Sequence, residues 1–137
     1  MPALHGFLAV IRERHPTTPI VVLTPIACPA IEDTPGPTRK LADGFYPGTP
    51  REIADGDGTL TLGIARELMR EAIESRAATD PLLWGSDGLE LFGAGDSQLL
   101  WDGLHPNQSG YDLIAERFLA RVADPVTSLG AAFGTVV

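Results

Sequence analysis

Pro19-Ile20-Val21-Val22-Leu23-Thr24-Pro25 is the stretch that decides the fold. It is apolar on both faces for four residues and has a proline at each end. That pattern suits a central strand of a parallel sheet, covered by helices on each side. The residues before it, 2–14, predict a helix. Pro2 fits a first helical position, and Leu4, Phe7, Leu8 and Ile11 recur at three and four residues to make one apolar face. Arg12, Arg14 and His15 favour its C-terminal end electrostatically, and Pro16 stops it. Helix, short loop and buried strand make half of an α/β unit.

Residues 25–58 read as a long irregular segment rich in proline and glycine, beginning Pro25-Ile26-Ala27-Cys28-Pro29. Such a connection inside a domain is unusual and often functional. It comes after the C-terminal end of a strand, where α/β sheets place their binding sites. It is read as a binding rim or as a plain surface insertion. A second helix is expected over about 60–77, capped by Thr59 or Thr61. Its apolar stripe is Ile64, Ala65, Leu68, Met69, Ala72 and Ile73. Leu82-Leu83-Trp84 reads as a short edge strand, Gly85-Ser86-Asp87-Gly88 as a turn, and Leu89–Phe92 as a small extension or helical turn. Asn107 should cap a last helix over about 108–122, with Tyr111, Ile114, Ala115, Phe118, Leu119 and Val122 buried. Residues 126–137 are apolar but aperiodic, a docked or frayed tail.

The chain of 137 residues is 44% hydrophobic and carries a net charge of −8, enough for one globular core. The negative charge argues against nucleic acid or anionic lipid as the main partner. Its single cysteine, Cys28, excludes an internal disulfide and a cysteine-based zinc or iron–sulfur cluster. Apolar runs are too short to span a bilayer. The N-terminus lacks the basic-then-apolar pattern of a signal peptide, which favours a cytoplasmic location. His5 and His15 lack partners at ligand spacing, and nothing calls for a metal or organic cofactor.

Chemistry concentrates in Asp102-Gly103-Leu104-His105-Pro106-Asn107-Gln108-Ser109-Gly110-Tyr111. Serine esterases need a hydroxyl to attack, a histidine to carry its proton, and a carboxylate to fix the histidine tautomer. Asp102 and His105 are close enough on one loop for the carboxylate to reach Nδ1 while Nε2 faces a pocket. By spacing alone the pair is equally a surface contact, and His105 equally part of a helix cap.

The fuller string resembles the last block of the SGNH, or GDSL-type, hydrolases. Phe7 to Pro25 is similar to the helix and fourth strand of that family. The loop from Pro25, with Glu32 and Pro35-Gly36, is similar to the family's loop after that strand. The helix from Leu60 and the segment Pro81–Gly93 match the expected order. The resemblance covers roughly residues 3–123. It implies a three-layer α/β/α, flavodoxin-like fold with a mostly parallel sheet, and hydrolysis of carboxylic esters. It implies Asp102 as triad acid and His105 as base. The family's Gly-Asp-Ser nucleophile block, and the glycine and asparagine of its oxyanion hole, have no counterpart here. Residues 1–123 then correspond to the C-terminal part of such a domain, truncated at its N-terminus, and 124–137 to a tail.

Gly95-Asp96-Ser97 spells the nucleophile triplet but lies in a loop just before Asp102, not after a buried strand. Ser97 therefore reads as a turn or capping serine. Ser109 reads as solvent-facing, Ser75 and Ser86 as helix-end and turn residues, and Cys28 as a small buried or loop cysteine. Trp101 lines an acyl pocket or packs on the last helix. Trp84 also lies near a loop, and Phe45 and Tyr46 are further candidates for substrate contact. The expected partner is a small ester substrate if the domain is complete. The alternative is a non-catalytic remnant that binds a ligand, forms a homo-oligomer, or associates with a complementing N-terminal segment, because a parallel sheet lacking strands leaves an open edge.

Overall fold

Arg12, near the end of the first helix, ties the opening half of the chain to the later half. In the computed structural model, which describes residues 2–49 and 60–134, that helix is α1 (Pro2–Arg14). After it come β1 (Ile20–Leu23), α2 (Leu62–Ala77), β2 (Leu83–Ser86), α3 (Gln108–Ala123) and α4 (Ser128–Gly134). Short 3-10 helices occupy Gly88–Glu90 and Ala94–Leu99. The Arg12 guanidinium donates to the carbonyls of His15 at 2.8 Å and Thr18 at 2.6 Å, closing the turn into β1. It also reaches Asp80 Oδ2 at 2.9 Å and the Leu82 carbonyl at 3.1 Å, at the entrance to β2. A planar fork with five donors serves both entrances at once.

β1 and β2 pair in parallel, Ile20 opposite Leu83 and Leu23 opposite Ser86. Parallel neighbours need a long crossover, and α2 lies within it. Thr61 caps α2 by accepting from the Ile64 N–H at 3.2 Å, so the later of the two expected caps is the one used. Ile73 of α2 packs against Gly85 of β2. On the opposite face, α4 packs on both strands and on α3. Helices thus cover both faces of a two-stranded parallel sheet. This is a small α/β fold, and the larger, mostly parallel sheet expected from the sequence is not present among the described residues.

Several expectations change. β1 is not a central strand here, because it pairs with β2 alone among the described residues. The Ile20 N–H donates to Leu82 and the Thr24 N–H to Ser86. By the alternation of a parallel pair, the backbone polar groups of Val21 and Leu23 therefore lie on the other, open edge. Leu23 is 40% exposed. Gly85 and Ser86 continue β2 instead of forming a turn, and Ser86 is buried. On α3, Tyr111, Ala115 and Leu119 face solvent. The side turned inward carries Gly110, Ile114 and Arg117, because the first turn of the helix is pressed onto the loop before it. The aperiodic tail forms α4, with Leu129 and Ala132 buried. The stretch 50–59 of the expected irregular segment, Thr59 included, lies outside the described residues.

Ala27, Phe92 and Leu100 form a core cluster with Ile26, Leu99 and Ile114 around it. It joins the segment after β1, the residues between the 3-10 helices, and α3, and it forms a base for the loop at 99–107.

Replacing Arg12 by Ala is expected to lower stability by about 2–3 kcal/mol, since it removes charge-assisted bonds that close two turns. Urea unfolding with far-ultraviolet circular dichroism measures this. Arg12→Lys should recover less than half of the loss, because an ammonium cannot span the same carbonyls.

Candidate acid–base site

Residues 99–107 fold back on themselves. The Asn107 N–H donates to the Leu99 carbonyl at 2.7 Å, the Trp101 N–H to the His105 carbonyl at 3.1 Å, and Leu100 and Pro106 form an antiparallel bridge. The reversal needs Gly103, whose φ is 82°, a region that disfavours any side chain. Asn107 then caps α3, accepting from the Gly110 N–H at 2.9 Å. Gly110 has no room for a side chain, since a Cβ there would lie 2.9 Å from Pro106 Cβ and 3.3 Å from the Leu99 carbonyl oxygen. The loop and the helix are thus locked together at these residues.

Asp102 sits inside the reversal, 1% exposed. Its Oδ1 accepts from the backbone N–H groups of Leu104 at 2.9 Å and His105 at 2.7 Å. Its Oδ2 lies 2.7 Å from His105 Nδ1. Burial raises the carboxyl pKa, but the His105 ring bond and the two backbone donors outweigh burial and hold it down at about 2. At neutral pH Asp102 is an ionised acceptor, so Nδ1 must carry the proton in this bond. The neutral imidazole then has its lone pair on Nε2.

The His105 side chain is half exposed. The Trp101 ring stacks beside it, with centroids 6.5 Å apart and planes 26° apart. Tyr46 meets it edge-on at 5.9 Å. The Tyr46 N–H donates to the Asp102 carbonyl at 2.9 Å, which fastens the long segment after β1 to the site. Chemically, this is an oriented imidazole whose Nε2 is open to accept a proton, with a carboxylate bonded at Nδ1.

The other candidates fall elsewhere. Among the described residues, no serine, threonine or cysteine side chain bonds to His105. Asp96 of the Gly95-Asp96-Ser97 triplet accepts from the Gly93 N–H at 2.8 Å and from both terminal nitrogens of Arg117 at 2.5 and 3.1 Å. Those bonds, the Arg117 one foremost, hold its carboxyl below the usual range against the effect of burial. Cys28 is buried, with Sγ 3.8 Å from the Gly103 carbonyl, so it underlies the turn. Ser109 is exposed at the start of α3. Trp101 is 62% exposed and pairs with His105. Trp84 lies in β2, away from this loop.

By its place in the sequence Arg66 lies away from the apolar stripe of α2, yet it is turned toward the segment after β1. It pairs with Glu32 and donates to the carbonyls of Pro25 at 3.3 Å and Ile26 at 3.5 Å. An arginine on a helix carries no signal of that kind, because its partners are distant backbone carbonyls. Among the described residues, no group of three or more His, Cys, Asp or Glu is gathered as a metal site would require. No helix there is long and apolar enough to cross a membrane.

No protein-family model matches this chain, nor does any curated sequence. Among solved structures it is similar to a salicylyl-acyltransferase from a tetracycline biosynthetic pathway, with a TM-score of 0.62 and 25% sequence identity. That likeness covers 97% of this chain and 32% of the other, so the chain spans about a third of its length. The chain therefore has a distant structural likeness to an acyltransferase.

The Asp102 carboxyl is held below its ordinary pKa, so it stabilises the fold above that ordinary value, about 4. The contribution is lost as pH falls toward about 2. The stability difference between the native chain and Asp102→Asn, measured by urea titration, is expected to narrow steadily across that interval. A difference that stays level there would mean that the His105 and Leu104 bonds do not favour the ionised form.

Proposed function

We propose that the chain supplies the acid and the base of an SGNH-type acyl-ester hydrolase, with Asp102 orienting His105 and His105 moving the proton. The observation that carries this reading is the 2.7 Å bond between a buried carboxylate and Nδ1 of a half-exposed imidazole. In the completed site a serine hydroxyl attacks the ester carbonyl while His105 Nε2 takes its proton. The same nitrogen returns the proton to the leaving alcohol. Water then takes the same route in reverse order to release the acid. The likeness to an acyltransferase supports acyl chemistry in general, and transfer to an alcohol instead of water would use the same acid and base.

The nucleophile is assigned to polypeptide beyond these residues, docked along the open edge of β1. An added parallel strand there would end on the same side as the Asp102 loop, since Cys28, just past the C-terminal end of β1, lies under Gly103. Residues 1–123 are then one part of a larger domain, and 124–137 add the α4 layer to it. The second reading is a non-catalytic remnant that associates with another chain. The open β1 edge favours it, and it requires His105 to have no effect on turnover.

Hydrolysis of p-nitrophenyl acetate by the folded chain, in which His105 acts as general base toward water instead of a serine hydroxyl, decides between them. General-base catalysis by a positioned side chain typically contributes about 10²–10⁴-fold. His105→Ala and Asp102→Asn are each expected to slow the reaction at least tenfold. Equal rates in all three proteins would remove the acid–base assignment. Fluorophosphonate labelling with peptide mapping tests whether a nucleophile lies within this chain, and the expected result is no His105-dependent adduct, on Ser97 or elsewhere.

A further inference from the structure

The segment after β1 does more than run over the surface. Residues 37–49 form a small hairpin-like excursion. The Thr49 N–H donates to the Pro37 carbonyl at 3.0 Å, the Arg39 N–H to Pro47 at 3.1 Å, and Thr38 and Gly48 form an antiparallel bridge. At its tip the Leu41 N–H donates to the Phe45 carbonyl at 2.8 Å, and the Tyr46 N–H fastens the tip to Asp102. Between this tip and the 3-10 helix Ala94–Leu99 lies a groove of about 720 Å³. Leu41, Phe45, Pro47 and the buried Leu100 give it apolar walls.

We infer that this groove holds the hydrocarbon part of the acyl group of an uncharged ester whose carbonyl is presented to His105. The inference rests on the acid–base reading above. Three observations carry it. The groove adjoins the site: Gly103, between Asp102 and His105, lines it, and Tyr46 both lines it and meets the His105 ring edge-on. Its volume falls within the range of roughly 300–1,000 Å³ usual for small-molecule sites. Its lining is apolar or uncharged except for Asp43, whose carboxylate accepts from the Phe45 N–H at 3.0 Å, and the nearby Lys40 ammonium lies over the Tyr46 ring and does not line the groove, so a neutral chain suits it better than a charged one.

The test uses methyl ketones, neutral isosteres of an ester that cannot be hydrolysed, in a titration monitored by amide chemical shifts. From 2-pentanone to 2-nonanone, affinity is expected to rise roughly two- to fourfold per methylene, with shifts centred on Leu41, Phe45 and Gly103. Gln98→Trp, which places an indole across the groove from an exposed lining position, is expected to weaken 2-nonanone at least tenfold. Phe45→Ala, at a half-exposed position, is a second variant and should weaken it about threefold or more. Shifts that map instead to the apolar groove at Val21, Leu23 and Phe118, or equal affinity for short and long ketones, overturn the inference. Binding is read without turnover. A chain that binds ketones here but shows no His105-dependent hydrolysis defeats only the proposed function. A chain that hydrolyses acetyl esters through His105 but binds no ketone defeats only the groove.

Discussion

The structure around the site depends on one buried carboxylate. Asp102 is almost fully removed from water, and an ionised group so placed must be fully hydrogen-bonded to persist. It gains two backbone donors only because the chain reverses at Gly103, and a third donor only because His105 lies one turn further on. The carbonyl of the same residue receives the Tyr46 N–H, so the long segment after β1 is drawn to the same point. Loss of the charge would leave the Leu104 and His105 donors with a weaker acceptor. It would also free the imidazole to turn. Orientation of the imidazole and closure of the loop are therefore one constraint, not two.

Where local chemistry decides the outcome, the sequence is readable. Thr61 and Asn107 act as caps because a side-chain oxygen meets an N–H three residues on, whatever surrounds the helix. The proximity of Asp102 to His105 is of the same kind. The inward face of α3 is not readable from periodicity. Tyr111 and Leu119 satisfy the apolar repeat, yet they face water. The helix is rotated so that Gly110 meets Pro106 and Arg117 reaches Asp96. Close approach of a glycine and a bond to a distant carboxylate set that rotation, and neither adds to a hydrophobic count.

β1 shows a different limit. Its apolar residues on both faces suit a covered central strand, and the strand does form. Leu23 nevertheless stays exposed, and one row of backbone donors and acceptors has no strand against it among the described residues. The side-chain pattern reports the surroundings a strand is suited to, not those that a given stretch of polypeptide supplies. Val21 and Leu23 line an apolar groove with Phe118, Leu129 and Phe133. A strand with apolar residues on that face would both pair with the open edge and bury the groove.

The Gly95-Asp96-Ser97 triplet shows why letters alone do not make a catalytic site. A nucleophilic serine must be presented to its base by a turn whose other residues are free to hold it there. In this triplet the aspartate closes its own 3-10 helix through Gly93 and binds Arg117 with both oxygens. That pairing fixes the helix to α3, and it accounts for the aspartate of the triplet. Ser97 then lines the groove beside Tyr46 and Gly103, as part of its wall. The aspartate that does serve His105 differs in one respect. Asp102 commits its oxygens to its own turn and to the imidazole, so the bonds that stabilise it are the bonds that orient the His105 ring.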